Sequence, residues 1–508
     1  MIARDAQALA AAVGGRLHLP DGAAPPRLTG AAVVDSRAVA PGDLFVGLPG
    51  DHVDGADYVE AALAAGAAAA LVQREPHQAV TGPVVVVADG VQALTELARA
   101  DHERLRAAGL VTVGVTGSAG KTTSKDLLAA VLRHAGRGAG LVATHGSYNN
   151  ELGLPLTVLR ADEGTRTLVL EMGARGPGHI THLTRVARPD VAVVLGVGSA
   201  HLGEFGSRQA IAAAKAELVR ALDGSRRGAL AVLNGDDPAV RDMAGVTDAP
   251  VVLFGEGEGS QVQAVDVELD ADARLRFGLL DRRRPDADQG PWPVRLALTG
   301  EQHLGNALAA AAVALHLGVP GDVVAEGLSV ARSGSRYRME VVDRPDGVRV
   351  VNDAYNASPE AVAAALRALA HMGRAARPPR RTWAVLGEML ELGSAAREEH
   401  DRVGRLAVRL NIDRLVAVGP GALHVHAGAT QEGSWGEESV HVADADAALE
   451  LLRAETGPGD VVLVKASNSI GLWRLGDTLA HEPPRPDQPR PDPARRPPTT
   501  TQEQEDDR

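Results

Sequence analysis

Gly114-Val115-Thr116-Gly117-Ser118-Ala119-Gly120-Lys121-Thr122-Thr123 is the stretch on which the reading of this chain turns. It follows an apolar run, Leu110–Val113, and leads into a helical pattern, Ser124–Leu132. Strand, glycine loop and helix in that order are the context a phosphate-binding loop requires. Backbone N–H groups of such a loop, with the positive end of the following helix, surround phosphate oxygens. Thr116, Gly117, Ser118, Ala119, Gly120, Lys121, Thr122 and Thr123 are therefore candidate ATP contacts. Lys121 would reach the terminal phosphates, and the Thr122 hydroxyl would coordinate Mg²⁺. The common spacing is G-x-x-x-x-G-K-[ST]; here position 115 is Val, and the working core is the shorter G-x-x-G-K-T. The rival reading, a glycine turn before a helix with an exposed lysine, does not explain the strand context or the Lys-Thr pair.

Around this loop the chain is long and ordinary in composition. Its 508 residues suggest roughly three domains. It is 45% hydrophobic and 23% charged, so a substantial core is available. The net charge of -13 disfavours nonspecific nucleic-acid binding, and 2% aromatics leaves little for base-stacking platforms. The absence of cysteine excludes disulfides, thiolate zinc sites and a cysteine nucleophile. Met1–Ala10 has no signal-peptide core, and the most apolar helical run, Ala61–Val72, is too short to span a bilayer. No membrane insertion and a cytoplasmic location are the expectations.

Three blocks follow one another. The first, to residue 108, mixes short β-like runs (Ala31–Val34, Leu44–Val46, Val84–Val87) with alanine-rich helices. The second, residues 109–330, alternates apolar runs (Thr167–Leu170, Val191–Leu195, Ala229–Leu233, Val251–Phe254) with helical stretches, ending near Asn306–Leu317. That alternation predicts a parallel α/β sheet. The third, residues 331–481, alternates again and predicts a Rossmann-like α/β domain: Val348–Val351, a helix Pro359–Ala370, Thr382–Leu386, a helix near Ala395–Leu410, Arg414–Val418 and Asp460–Val464. Residues 482–508, rich in proline and charge, cannot bury a core and read as a disordered tail.

A nucleotide site needs metal ligands beyond the loop threonine. Glu171 directly follows a β-run, and carboxyl ends of parallel strands face the ligand crevice. His201 follows a second such run, and Lys215 lies in the helical run Ile211–Leu222. Singly, each has a bland reading as a cap, a structural histidine or a solvated lysine. With the loop they form a candidate catalytic and metal set, Lys121, Thr122, Glu171, His201 and Lys215.

Longer motifs carry a family resemblance. Asp35-Ser36-Arg37, TGSAGKTT, SYNNELGLPLTVL (Ser147–Leu159), LEMGARGPGHI (Leu170–Ile180), SAHLGEFGS (Ser199–Ser207), SRYRMEVV (Ser335–Val342), NDAYNASPEA (Asn352–Ala361), LGEMLELG (Leu386–Gly393) and VLVKAS (Val462–Ser467) resemble the Mur ligases of peptidoglycan synthesis, to about residue 480. The third-block signatures are similar to those of the dipeptide-adding branch. The resemblance implies a three-domain α/β architecture: a domain binding the UDP-N-acetylmuramoyl-peptide, a central P-loop ATPase domain, and a C-terminal Rossmann-like domain binding the amine substrate. It implies a monomer with ATP and Mg²⁺ as cofactors. Its substrates would be UDP-N-acetylmuramoyl-tripeptide and D-alanyl-D-alanine, joined through an acyl phosphate. Glu171 and His201 would be metal ligands. Lys215 would match the family's carbamylated lysine, and Asn306 its adenine-contacting asparagine. Arg338 and Asp353 would reach the nucleotide. Ser36, Arg37, Asn149, Asn150, Tyr355, Asn356, Lys465 and Ser467 would be substrate contacts. The chain departs from the family at Ser147, Gly196, Ala56 and Asn468. A sibling amide ligase, a folylpolyglutamate synthase-like enzyme, or a nucleotide-binding scaffold without catalysis stay open as alternatives.

Overall fold

The computed structural model describes residues 1–20, 26–50, 53–75, 80–198, 202–285, 288–332, 334–433 and 438–483. The tail from residue 484 and His201 lie outside the described residues. The chain divides into two compact units. One is Met1–Arg336 with Ser358–Ala364 and Glu391–Ala396; the other takes the remaining residues from Tyr337 onward. Three principal α/β sheets run through these units, one in each sequence block.

The central sheet has nine strands. In spatial order they are Trp292–Thr299, Arg274–Asp281, Val262–Leu269, Val251–Gly255, Leu230–Asn234, Val191–Val194, Val111–Thr116, Thr167–Glu171 and Leu141–Ala143. The strands from Leu141–Ala143 to Val262–Leu269 pair in parallel, and the two outermost are antiparallel. The expected runs thus become parallel strands. The antiparallel pair beyond Val262–Leu269 is an addition to the sequence-based expectation.

Val111–Thr116 is a strand because its Val111, Val113 and Val115 are β-branched, and burial on both faces favours such runs in parallel sheets. Val113 and Val115 are fully buried. From this strand the chain goes through the helix Lys121–His134 to the edge strand Leu141–Ala143. It then returns to Thr167–Glu171 beside the loop strand, and crosses to Val191–Val194 on its other side. The order reverses at the loop strand, so the carboxyl ends of these three strands form the switch-point crevice where such sheets bind ligands. Helix Lys121–His134 buries Leu127, Leu128, Val131 and Leu132, and packs on helix His303–His316. The alanines Ala307 and Ala309–Ala312 let the two helices approach closely. Helix Arg208–Arg220 lies directly over the loop strand: a Cβ on Gly114 would come within 2.9 Å of Leu218 Cδ1.

The first block forms a five-stranded sheet, ordered Arg16–His18, Val84–Val86, Ala69–Val72, Leu44–Gly47 and Ala32–Val33. One expectation is corrected here. Ala61–Val72 is not a single helical run: the helix is Val59–Ala64, and Ala69–Val72 is a fully buried strand. Gly66, at φ +111°, takes a left-handed conformation that ends the helix, and the apolar residues after it pair between Leu44–Gly47 and Val84–Val86.

The second unit holds a six-stranded sheet, ordered Glu340–Asp343, Arg349–Asn352, Val461–Lys465, Thr382–Leu386, Arg414–Val418 and Ser439–Val442. All neighbours are parallel except the first pair. Trp383 anchors this core, fully buried, with its indole N–H donating to Asp460 Oδ2 at 3.1 Å.

Candidate functional site

The phosphate loop leaves the sheet at Thr116 and enters helix Lys121–His134 through Gly120, which is left-handed at φ +82°. Only glycine fits there: a Cβ would lie 2.2 Å from Asn306 Oδ1. Ser118 ties the loop to the neighbouring strand end, its N–H donating to the Gly196 carbonyl (3.0 Å) and its hydroxyl accepting from Gly198 N–H (2.9 Å). Asp237 braces the same segment by accepting from Val197 N–H at 2.8 Å. The Lys121 ammonium folds back over the loop and donates to the Gly117 carbonyl at 2.8 Å.

The first unit gathers most of the expected set. The Thr122 hydroxyl donates to Glu171 Oε2 at 2.8 Å and lies 3.3 Å from Ser147 Oγ. The other Glu171 oxygen accepts from Asn149 Nδ2 at 2.7 Å. Glu171 and Thr122 are both almost fully buried. Asn306 is buried beside Gly120, accepting from Ser124 Oγ (3.2 Å) and bonded to His303 Nδ1 (3.3 Å). Lys215 is 3% exposed. Burial, with Lys121 as a second and like charge, pushes its amine down to about pKa 7. Asn150 Oδ1 accepts from Gly153 N–H at 2.9 Å, where helix Gly153–Val158 begins. Ser36 and Arg37 stand apart in a 3₁₀ turn of the first sheet's unit, with Arg37 exposed and paired to Asp35 at 2.8 Å. Arg37 holds the Asp35 carboxyl well below its ordinary range.

The second unit gathers the rest at the carboxyl ends of Arg349–Asn352 and Val461–Lys465. The buried Lys465 ammonium donates to Asp353 Oδ2 (2.6 Å) and to the Asn356 carbonyl (2.8 Å). Asp353 Oδ1 accepts from Met339 N–H at 3.0 Å. The Arg338 guanidinium lies 4.1 Å over the Tyr355 ring, a cation–π contact. Ser467 Oγ accepts from Leu390 N–H at 2.9 Å.

One participant has no role in the sequence reading, and a second has a different one there. Ser147 stands against the Thr122 hydroxyl, and Asn149 holds the Glu171 carboxylate as well as lying in a substrate motif. Both lie in the loop after the edge strand Leu141–Ala143, and only the fold reveals what they face.

The residues present fit Mg²⁺. Among the described residues no three His, Asp or Glu side chains gather to hold a metal by themselves. The Thr122 hydroxyl and Glu171 carboxylate supply two hard oxygens, and Mg²⁺ completes such a set with phosphate oxygens and water.

Comparison with known proteins gives a consistent result. Residues 32–109 match the Mur ligase family catalytic domain, 115–314 the Mur ligase middle domain, and 337–468 the Mur ligase glutamate ligase domain. The chain is 48% identical over 494 residues to the UDP-N-acetylmuramoyl-tripeptide–D-alanyl-D-alanine ligase of Mycobacterium tuberculosis, covering 91% of this chain and 94% of that one. It is 31% identical over 446 residues to the ligase of the same name from Escherichia coli, covering 87% and 92%. A crystal structure of MurF from Acinetobacter baumannii superposes with a TM-score of 0.79 at 29% identity, over 94% of this chain and 99% of that one. MurF from Thermotoga maritima in complex with ADP superposes with 0.73 at 31% identity, over 89% and 97%. Among the described residues, no helix is long and apolar enough to cross a membrane.

Proposed function

This chain belongs to the Mur ligase family, and we infer from that membership and the site geometry that it joins D-alanyl-D-alanine to UDP-N-acetylmuramoyl-tripeptide at the expense of ATP. ADP and phosphate are the other products. The observation that carries the reading is the buried pair of Thr122 and Glu171 at the end of the loop strand, with the half-buried Asn149 on the Glu171 carboxylate.

A carboxylate is a poor electrophile toward an amine. Phosphoryl transfer to the tripeptide's terminal carboxylate makes an acyl phosphate with a good leaving group; the amine then attacks and phosphate departs. Loop amides from Gly117 to Thr123 hold the phosphates. Lys121 exchanges its bond to Gly117 for a phosphoryl oxygen and neutralises charge that grows in the transition state. Mg²⁺, when bound with the nucleotide, draws further charge from those oxygens. Thr122 and Glu171 would hold it, with Asn149 fixing the Glu171 carboxylate, and His201 is a further candidate ligand. Asn306 would contact the adenine. In the second unit Arg338 and Asp353 are the proposed nucleotide contacts. Tyr355, Asn356, Lys465 and Ser467 are proposed for the substrate, as are Ser36, Arg37 and Asn150 in the first.

Residues 1–108 are proposed to bind the uridine nucleotide, 109–330 ATP, and 331–481 the dipeptide. A monomer in the cytoplasm suits an enzyme whose substrates are two nucleotides and a dipeptide. The test is phosphate release with the UDP-linked tripeptide, with and without D-alanyl-D-alanine. Release that does not depend on the dipeptide, or that a single amino acid supports equally, would overturn the assignment.

A further inference from the structure

Lys125 is the fifth residue of the helix that follows the phosphate loop, one turn beyond Lys121, and it is 2% exposed. A buried ammonium needs partners that repay its lost hydration. Its Nζ donates to the Thr144 carbonyl at 2.8 Å and to Asp126 Oδ1 at 2.5 Å. The other Asp126 oxygen accepts from Ser335 Oγ at 3.1 Å.

Thr144 is where the chain leaves the sheet. The edge strand ends at Ala143, and the last bond of its ladder is Thr144 N–H to the Val169 carbonyl at 3.0 Å. Two residues on, Glu171 N–H donates to Thr144 Oγ1 at 3.1 Å in place of a backbone carbonyl on that side. The Thr144 carbonyl, 3% exposed at residue level, would be an unsatisfied buried acceptor without Lys125. With that carbonyl satisfied, the chain is free to turn away from the sheet through Gly146, at φ +53°. The turn brings Ser147 to Thr122 and Asn149 to Glu171. Asn149 then also accepts Gly173 N–H through its carbonyl at 2.9 Å.

We propose that Lys125 is a positioning residue for the Glu171 carboxylate: by pinning Thr144 at the strand exit it sets both the Glu171 backbone and the loop that carries Asn149. The inference rests on the proposed role of Glu171 toward the divalent cation. Partners one layer out from a metal ligand, when removed, typically weaken metal affinity about 10–100-fold.

The test is Mn²⁺ binding to the ADP-loaded enzyme, followed by electron paramagnetic resonance, with no turnover required. Lys125→Met keeps the aliphatic stem and removes the donor; Thr144→Val removes the hydroxyl that holds Glu171 N–H. Each should weaken Mn²⁺ binding by about 10–100-fold, while ADP binding in chelator stays within about threefold of the parent. Lys125→Arg should recover part of the Mn²⁺ affinity. If Lys125→Met does not fold, Thr144→Val decides alone. Unchanged Mn²⁺ affinity in the folded variants, even with a lowered melting temperature, overturns the proposal and leaves Lys125 a structural staple. Glu171→Gln separates the two failures: if it weakens Mn²⁺ binding while the other variants do not, only the positioning role falls. If it too has no effect, the Glu171 assignment falls with it.

Discussion

Lys215 should be inactive chemistry as an ammonium and active chemistry as a carbamate. The structure supplies the magnitude. Burial first, and the Lys121 charge second, lower its pKa from 10.5 to about 7. A neutral amine is what attacks CO₂, releasing a proton and leaving an anionic carbamate. At pH 7.5 about three-quarters of such amines are neutral, against about one in a thousand for an ordinary lysine. The same shift is a stability statement. The unfolded chain binds a proton that the folded chain refuses between pH 7 and 10.5, so the unmodified lysine destabilises fully below pH 7 and ever less toward pH 10.5. The full size is about 5 kcal/mol at 1.36 kcal/mol per pH unit. Lys215→Met should therefore melt higher than the unmodified parent near pH 6.5 yet lose about 10²–10³-fold in turnover, the usual loss when one electrostatic partner of a charged transition state goes. Lys215→Ala should lose as much and regain part of it with formate or acetate, which can occupy the carbamate's place. Carbon-13 bicarbonate should give the parent a carbamate resonance that both variants lack. Turnover within tenfold of the parent in Lys215→Met, or no such resonance in an active parent, would refute the reasoning.

Three further outcomes follow from the geometry. Lys121→Ala should fold normally and lose about 10²–10³-fold or more in rate, measured as dipeptide-dependent phosphate release; near-normal rates would sink the phosphate-loop assignment. Gly120→Ala should abolish ADP binding by calorimetry, because φ +82° adds about 1–2 kcal/mol of strain and its Cβ meets Asn306 Oδ1 at 2.2 Å. His102 is buried against Thr112 Oγ1 at 2.8 Å, and burial lowers its pKa from 6.5 to about 4. The unfolded chain takes up this proton first as acid is added, so His102 should contribute about 3 kcal/mol of lost stability between pH 6.5 and 4, none above. His102→Gln should flatten the denaturation-midpoint profile across that window, and an unchanged slope would count against it.

What the sequence made legible and what it hid differ by physical range. The loop Thr116–Thr123 was readable because a strand, two glycines and a Lys-Thr pair act within ten residues. Glu171 was readable from its place after an apolar run, since strand ends in parallel sheets face the crevice. The pair Arg274–Asp281 and Trp292–Thr299 carries a usable signal, the alternation in R-L-R-F and V-R-L-A-L, which is unlike the continuous apolar runs of the parallel strands beside it. Ala61–Val72 shows the opposite failure: alanine satisfies helix and buried strand alike, so only the left-handed Gly66 divides the segment. The lysines define the limit. Lys121, Lys125 and Lys215 are identical letters on helices, and propensity treats them as solvated. Lys125 at least lies four residues past Lys121, on the same helix face. For Lys215 no local pattern exists, because its burial comes from a helix laid over a strand a hundred residues away, at a glycine that leaves it room. The resemblance implies the carbamate role proposed for it, and burial is consistent with that proposal, since an amine forced toward neutrality beside a second cation would gain by becoming an anion.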